Sequence, residues 1–272
     1  MSKSSEDARR LADAYGHGAS EYATVLDPTL EPMARHMIEI AGVCAGDCIL
    51  DLATGTGIVA RAAARSGACV VALDLSRNML TVAQRMLPRS TSFMRADAAL
   101  LPFASRSFDA ITCGLSLSHF ANVPTVLAEI RRTLRPGGFF VGSAWGPGSD
   151  PSFTAAFAVY KRYTQDTPRR LATLLDEASW MDPERGREVI SGSGLVPIEV
   201  ITRRLTGTYA SAEAAVDWVL AWPLMAEGCQ QLAPADRKAL RAEALAAVEA
   251  AGQLEWHRDI HYYRAQAAAV CA

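Results

Sequence analysis

Cys48-Ile49-Leu50-Asp51-Leu52-Ala53-Thr54-Gly55-Thr56-Gly57-Ile58-Val59-Ala60 reads as a short apolar strand, a glycine turn and the start of a helix. The run 48–52 is too short for a helix and is rich in residues that suit a buried strand. Gly55 and Gly57 let the backbone turn tightly and approach a ligand with no Cβ in the way. The alanine-rich run 60–65 is a strong helix former. A strand, glycine turn and helix in this order place free backbone N–H groups at the mouth of a parallel sheet, where nucleotide-like ligands bind.

Working outward, strand and helix alternate. A second buried strand is expected over 69–74, a helix over 77–87 stopped by Pro88, a third strand over 91–95 and a fourth over 110–115. Asn122 can cap the next helix, with Pro124 in its first turn. Pro136-Gly137-Gly138 then turns the chain into a fifth strand over 139–145. Upstream, the glycines of 6–24 interrupt any helix, whereas 30–42 has helical spacing. Beyond Trp145 a linker-like turn, 146–151, precedes two or three helices over 152–192 and a strand over 197–205. Ser211 caps a helix to Trp222, Pro234 opens another to Gly252, and 256–264 reads as a last strand. The expectation is an α/β protein with a doubly wound, seven-stranded, mostly parallel sheet and right-handed crossovers. Residues 1–42 form an N-terminal helical segment closing the ligand site. The main domain is 43–272, with 150–194 and 207–252 as helical lid insertions over the ligand edge.

Composition narrows the function classes. Of 272 residues 50% are hydrophobic and 21% charged, with a net charge of −2 and interleaved signs, so no basic face for nucleic acid is expected. The start is polar, unlike a secretory leader, and no apolar run approaches the roughly 20 residues of a membrane helix. Cysteines at 44, 48, 69, 113, 229 and 271 form no C-x-x-C pair. Those at 48, 69 and 113 fall in expected core strands as small hydrophobes, which implies a reducing, cytoplasmic setting without zinc or disulfides.

Three acids recur at strand ends: Asp51, Asp74 and Asp97. In a parallel sheet these ends line one crevice. A carboxylate after the second strand can accept both hydroxyls of a ribose, and Asp97 can meet an adenine amino group. Gly55-x-Gly57-x-x-Ala60, with Asp74 nineteen residues after Gly55, also satisfies a dinucleotide fingerprint. Thr54 and Thr56 fill the turn where a pyrophosphate prefers bare backbone.

Asp51-Leu52-Ala53-Thr54-Gly55-Thr56-Gly57 resembles the first motif of class I S-adenosylmethionine-dependent methyltransferases, in a form similar to the ubiquinone/menaquinone C-methyltransferase branch. The resemblance continues through Leu73-Asp74-Leu75-Ser76-Arg77-Asn78-Met79-Leu80, Ala96-Asp97-Ala98-Ala99-Leu100-Leu101-Pro102-Phe103 and Ser107-Phe108-Asp109-Ala110-Ile111, to Leu134-Arg135-Pro136-Gly137-Gly138. It covers roughly residues 15 to 145 and implies a Rossmann-like methyltransferase fold with S-adenosyl-L-methionine as cofactor. It further implies that the main chain at Ala53 and Gly55 holds the methionine part, that Asp74 binds the ribose, and that Met79 packs on the adenine. By the same resemblance Asp97 and Ala98 meet the adenine edge and Leu115 sits near the sulfonium. Tyr15 and Tyr22 fold over the cofactor, and Asp51, Thr54 and Leu75 complete the set. An NAD-dependent oxidoreductase and a non-catalytic cofactor-binding relative are the alternatives.

The chain departs from the quinone branch after the fourth strand, where Ser116-Leu117-Ser118-His119-Phe120 replaces a G-L-R-N-V type run, and again over 150–272. Both departures fall where substrate is held. His119 is the best placed base for a hydroxyl or acidic-carbon acceptor. His257 and His261, four apart in an expected strand, read as structural, and no metal is expected. The aromatic lid points to a small apolar or aromatic substrate bound by Trp180, Trp218 and Trp222. The partners expected are that small molecule, no nucleic acid and no membrane, with a homodimer left open.

Overall fold

In the computed structural model, which describes residues 3–165 and 177–267, seven strands join in one sheet. They are β1 (Cys48–Leu52), β2 (Cys69–Asp74), β3 (Ser92–Arg95), β4 (Phe108–Cys113), β5 (Leu134–Ser149), β6 (Leu195–Thr208) and β7 (Glu255–Ala267). Their order is β3-β2-β1-β4-β5-β7-β6. The first five pair in parallel, and β7 runs antiparallel to both β5 and β6. This is the doubly wound, mostly parallel sheet expected. Strand order reverses between β1 and β4, and in such sheets a crevice opens at the carboxyl ends beside that reversal.

The helices are α1 (Lys3–His17), α2 (Ala19–Glu21), α3 (Asp27–Ala41), α4 (Ile58–Arg65), α5 (Arg77–Met86), α6 (Val123–Thr133), α7 (Pro151–Tyr163), α8 (Glu177–Met181), α9 (Pro183–Gly192), α10 (Ala212–Ala221), α11 (Pro223–Gln230) and α12 (Pro234–Ala251). A π-helical turn, Tyr22–Leu26, leads into α3, and a 3₁₀ turn spans Leu117–His119. Asn122 and Ser211 cap helices where the sequence placed them, and Asp150, in the stretch read as a linker, caps α7 as well. Asn122 accepts from the Thr125 N–H, Asp150 from Phe153, Ser211 from Ala214, and Gly42 and Gly252 end α3 and α12 in the left-handed region.

Strand side chains alternate between two cores. Ile49, Val70, Ala72, Ala110, Val141, Ile260 and Tyr262 face α3, α4 and the bundle of α7, α10 and α12. Their neighbours Leu50, Leu73, Ile111, Phe140 and Tyr263 face the other side, with Leu127 and Ile130 of α6, Trp180 of α8 and Ile190 of α9. A sheet covered on both faces explains why its strands read as nearly continuous apolar runs.

Three expectations need correction. The segment 6–24 is largely helical, and α1 runs through Gly16. A Cβ there would lie 2.7 Å from the Ser76 Oγ, so this glycine permits close docking on α5 rather than breaking the helix. The Asn78 amide fastens the dock by donating to the Gly16 carbonyl at 3.2 Å. Residues 146–149 are not a linker: β5 continues, with Gly148 opposite Arg258 and Ser149 opposite His257, past a bulge after Trp145. Among the cysteines only Cys113 is buried; Cys48 is half-buried and Cys69 exposed, while Cys271 lies outside the described residues. His261 is buried in β7, its Nδ1 2.8 Å from the Thr202 Oγ1.

Candidate active site

A cavity of about 340 Å³ opens at the carboxyl ends of β1 to β4. Tyr15, Tyr22, Asp51, Ala53, Thr54, Gly55, Asp74, Leu75, Met79, Asp97, Ala98, Leu115 and His119 all line it. The strand ends, α5 and the N-terminal segment thus bring every residue expected to hold the cofactor, and the candidate base, to one cavity.

The turn after β1 is built around Asp51. Its buried carboxylate accepts from the Thr54 hydroxyl at 2.6 Å, the Thr112 hydroxyl at 2.7 Å and the Ala60 N–H at 3.0 Å. Burial raises its pKa to about 6 against those three donors. Asp51 therefore spends its oxygens on shaping the turn. Ala53, Gly55 and Gly57 all take positive φ (53°, 56° and 88°), a conformation that costs a non-glycine residue about 1 kcal/mol or more. Gly57 is also the N-cap of α4, where a Cβ would fall 2.4 Å from a Leu87 methyl. Strain held at Ala53 marks a surface shaped for a ligand.

Asp74, at the end of β2, accepts from the Gly55 N–H and the Ser76 N–H, both at 2.8 Å. Burial raises its pKa, while hydrogen bonds from Ser76 and Gly55 oppose the shift. Asp97 follows β3 and accepts from the Ala99 N–H at 2.9 Å. Met79 of α5 is 2% exposed and packs with Tyr15, Ala19 and Tyr22. After β4, Leu115 takes φ 52° and donates its N–H to the Ser143 hydroxyl at 3.0 Å, a second strained residue facing the cavity.

The 3₁₀ turn presents His119. Its Nε2 lies 2.6 Å from the Tyr15 hydroxyl and its Nδ1 3.1 Å from the Ser118 Oγ. The rings of Tyr15 and His119 meet edge to face at 5.3 Å. Burial lowers the pKa of His119 to about 4, so the imidazole is neutral at pH 7. With the ring proton on Nδ1, His119 donates to Ser118 and accepts from Tyr15. Burial, and the charge of Asp27 behind it, push the Tyr22 phenol well up.

The lid tryptophans lie elsewhere. Trp180, Trp218 and Trp222 do not line the cavity. Trp180 is 2% exposed, edge-on to Tyr263, whose hydroxyl donates to its carbonyl at 3.0 Å. Trp218 is buried among Phe153, Tyr209, Trp222 and Trp256. Trp222 comes nearest, touching Tyr22 edge-on from behind at 6.2 Å. The reason is packing: Trp218 and Trp222 pack in the core between the bundle and the sheet, and Trp180 packs in the core on the opposite face of the sheet. The cavity is covered by Ala8, Leu11, Ala12, Tyr15 and Tyr22 of the N-terminal segment, and no described residue of 150–194 or 207–252 lines it; 166–176 lies outside the described residues. Residues not anticipated also line it, notably Leu11, Phe120, Asn122 and Thr125. Asn122 was legible only as a helix cap, and Leu11 only once α1 is known to be a helix.

Among the described residues the lining contains acids but no Lys or Arg. That donor set fits a ligand with hydroxyls, an amino-bearing ring and a sulfonium cation better than one with a pyrophosphate. The fold and this cavity define a nucleoside-binding α/β enzyme of the Rossmann-like methyltransferase type.

Comparison with known proteins agrees. The family model described as "Methyltransferase domain" matches residues 50–142. A demethylmenaquinone methyltransferase of Renibacterium salmoninarum is 34% identical over 169 residues, covering 60% of this chain and 70% of that protein. The biotin biosynthesis bifunctional protein BioHC of Cellvibrio japonicus is 33% identical over 53% of this chain, which spans only 28% of that longer protein. The phosphoethanolamine N-methyltransferase 2 of Haemonchus contortus, solved with phosphomonomethylethanolamine and S-adenosylhomocysteine, superposes with a TM-score of 0.56 at 17% identity, over 93% of this chain and 57% of that one. The chain belongs to the class I S-adenosylmethionine-dependent methyltransferases, and its cofactor is S-adenosylmethionine.

Proposed function

We propose that the enzyme methylates oxygen or carbon on a small, uncharged, apolar or aromatic molecule. The observation that carries this reading is the Tyr15–His119 pair, 2.6 Å apart at the wall of a cavity with no Lys or Arg among its described lining residues. A neutral imidazole bonded to a phenol can take a proton from a hydroxyl or an acidic carbon. Among the described lining residues no cation compensates the desolvation of a phosphate or carboxylate on the acceptor.

The bound cofactor supplies an electrophilic methyl group. The protein's part is to bind, orient and exclude water. In this reading the strained turn at Ala53 and Gly55 holds the methionine end, Asp74 accepts the ribose hydroxyls, and Asp97 and Ala98 meet the adenine edge. Met79 packs on the adenine, while Leu75, Thr54 and the inward-turned Asp51 support these contacts. Leu115 faces the sulfonium. Tyr15 and Tyr22, on the N-terminal segment 1–42, cover the site. The acceptor's proton passes to the Tyr15 oxygen as the Tyr15 proton passes to the His119 Nε2, so the pair acts as a relay. Relatives named for demethylmenaquinone make a hydroquinone ring one natural candidate. Free cysteines at 44, 48, 69, 113 and 229 support a reducing, cytoplasmic setting.

Methyl transfer should be assayed against small phenols, indoles and hydroquinones, with phosphomonoester analogues of the same acceptors as controls. Uncharged acceptors should turn over best. His119→Ala should lower kcat by about 10²-fold or more while S-adenosylhomocysteine affinity stays within about twofold. Wild-type turnover in that variant would remove His119 as the base. A preference for the phosphorylated acceptors would overturn the substrate class.

A further inference from the structure

Asp27 is a buried acid outside the cavity lining, and the chemistry above makes no use of it. It is 3% exposed, and both of its carboxylate oxygens face the Thr56 hydroxyl, at 2.8 and 2.9 Å. Thr56 is 1% exposed and sits between Gly55 and Gly57 in the cofactor turn. This contact joins the turn to the chain segment that covers it.

The backbone accounts for the placement. Tyr22–Leu26 is a π-helical turn, closed by the Asp27 N–H donating to the Tyr22 carbonyl. In an α-helix, residues five apart point about 140° away from each other around the axis. The wider i→i+5 turn returns them to within roughly 50°. The π turn thus sets Tyr22 and Asp27 on nearly the same face. Tyr22 lines the cavity, with Tyr15 at 6.4 Å between ring centroids, while Asp27 reaches the turn beneath. A π turn departs from the regular i→i+4 hydrogen bonding of an α-helix and occurs frequently at functional sites.

We propose that Asp27 is a positioning residue. Its bond to Thr56 locks the cofactor turn to the cover segment, so that the turn which holds the methionine end and the tyrosines which close over it adopt their binding geometry together. Asp27 acts through Thr56 and Tyr22 and touches neither substrate nor cofactor. The inference rests on the cofactor assignment, which titration of the wild type with S-adenosylhomocysteine checks independently.

The test is calorimetric titration of S-adenosylhomocysteine into the full chain and its variants, alongside thermal midpoints and steady-state kinetics. Thr56→Val removes the donor and Asp27→Ala the acceptor. Each should weaken binding about tenfold or more and raise the cofactor KM more than it lowers kcat. The double variant should be no weaker than the poorer single one, because both act through one bond. Thr56→Ser keeps the hydroxyl, and Asp27→Asn keeps one acceptor oxygen. Both should bind within about twofold of wild type, and they keep the test decisive should the harsher variants fold poorly. Unchanged affinity in Thr56→Val, additive losses in the double variant, or a Thr56→Ser variant as weak as Thr56→Val would each overturn the proposal.

Discussion

Tyr15 and His119 are 104 positions apart, and their contact is the most consequential pair in the cavity. Replacing Tyr15 by Phe keeps the ring that packs near Met79 and removes only the hydroxyl on Nε2. The expected result is a kcat lowered about tenfold with S-adenosylhomocysteine affinity unchanged, measured by steady-state rates and calorimetry. Equal losses in both would reassign Tyr15 to covering the cofactor. Asp51 makes the complementary point. Its carboxylate is fully engaged by Thr54, Thr112 and Ala60, so Asp51→Ala leaves three buried donors without an acceptor. A loss of about 2–4 kcal/mol in denaturant-derived stability should follow. If stability holds while cofactor binding fails, Asp51 contacts the ligand instead.

At the scale of elements, legibility followed the range of the interactions. β1, the glycine turn and β2 could be read because burial on both faces and local turn chemistry determine them within a dozen residues. The three acids could be placed in one crevice because parallel strands in register bring their ends together. The extension of β5 was not legible, since its partner β7 lies over a hundred residues downstream and overrides the local glycines and proline. The π turn left no periodic signature. The tryptophans misled for a different reason: a large aromatic near a cavity and one in a seam have the same sequence signature. Trp180, against Tyr263 and within the core that includes Leu117 and Phe140, tests this. Trp180→Ala should cost about 3–5 kcal/mol of stability. Trp180→Phe, which refills most of the space, should retain the wild-type substrate KM. A substrate KM raised severalfold in Trp180→Phe, at unchanged thermal midpoint, would restore Trp180 to the substrate site.

The whole molecule carries its site as an electrostatic load that depends on pH. Burial raises Asp27 and Asp51 to about 6 and lowers His119 to about 4. The signs oppose one another. Between pH 6 and the unfolded carboxylate range the folded chain binds more protons at the two acids than the unfolded chain does. Acidification through that window therefore stabilises the fold through them. His119 works the other way: between about 6.5 and 4 the unfolded imidazole takes a proton that the folded one refuses, so its contribution is lost as pH falls. A single pH profile of the wild type mixes these effects, and a difference separates them. In His119→Gln only the histidine contribution is gone, while Asp27 and Asp51 titrate as before. The stability of the wild type relative to His119→Gln should thus fall by about 2 kcal/mol between pH 7 and pH 5, read from urea midpoints at each pH. A difference that stays constant across that range would mean that His119 titrates normally in the folded chain. The imidazole would then be solvated rather than sealed beneath Tyr15, and the cover segment would not exclude water from the site.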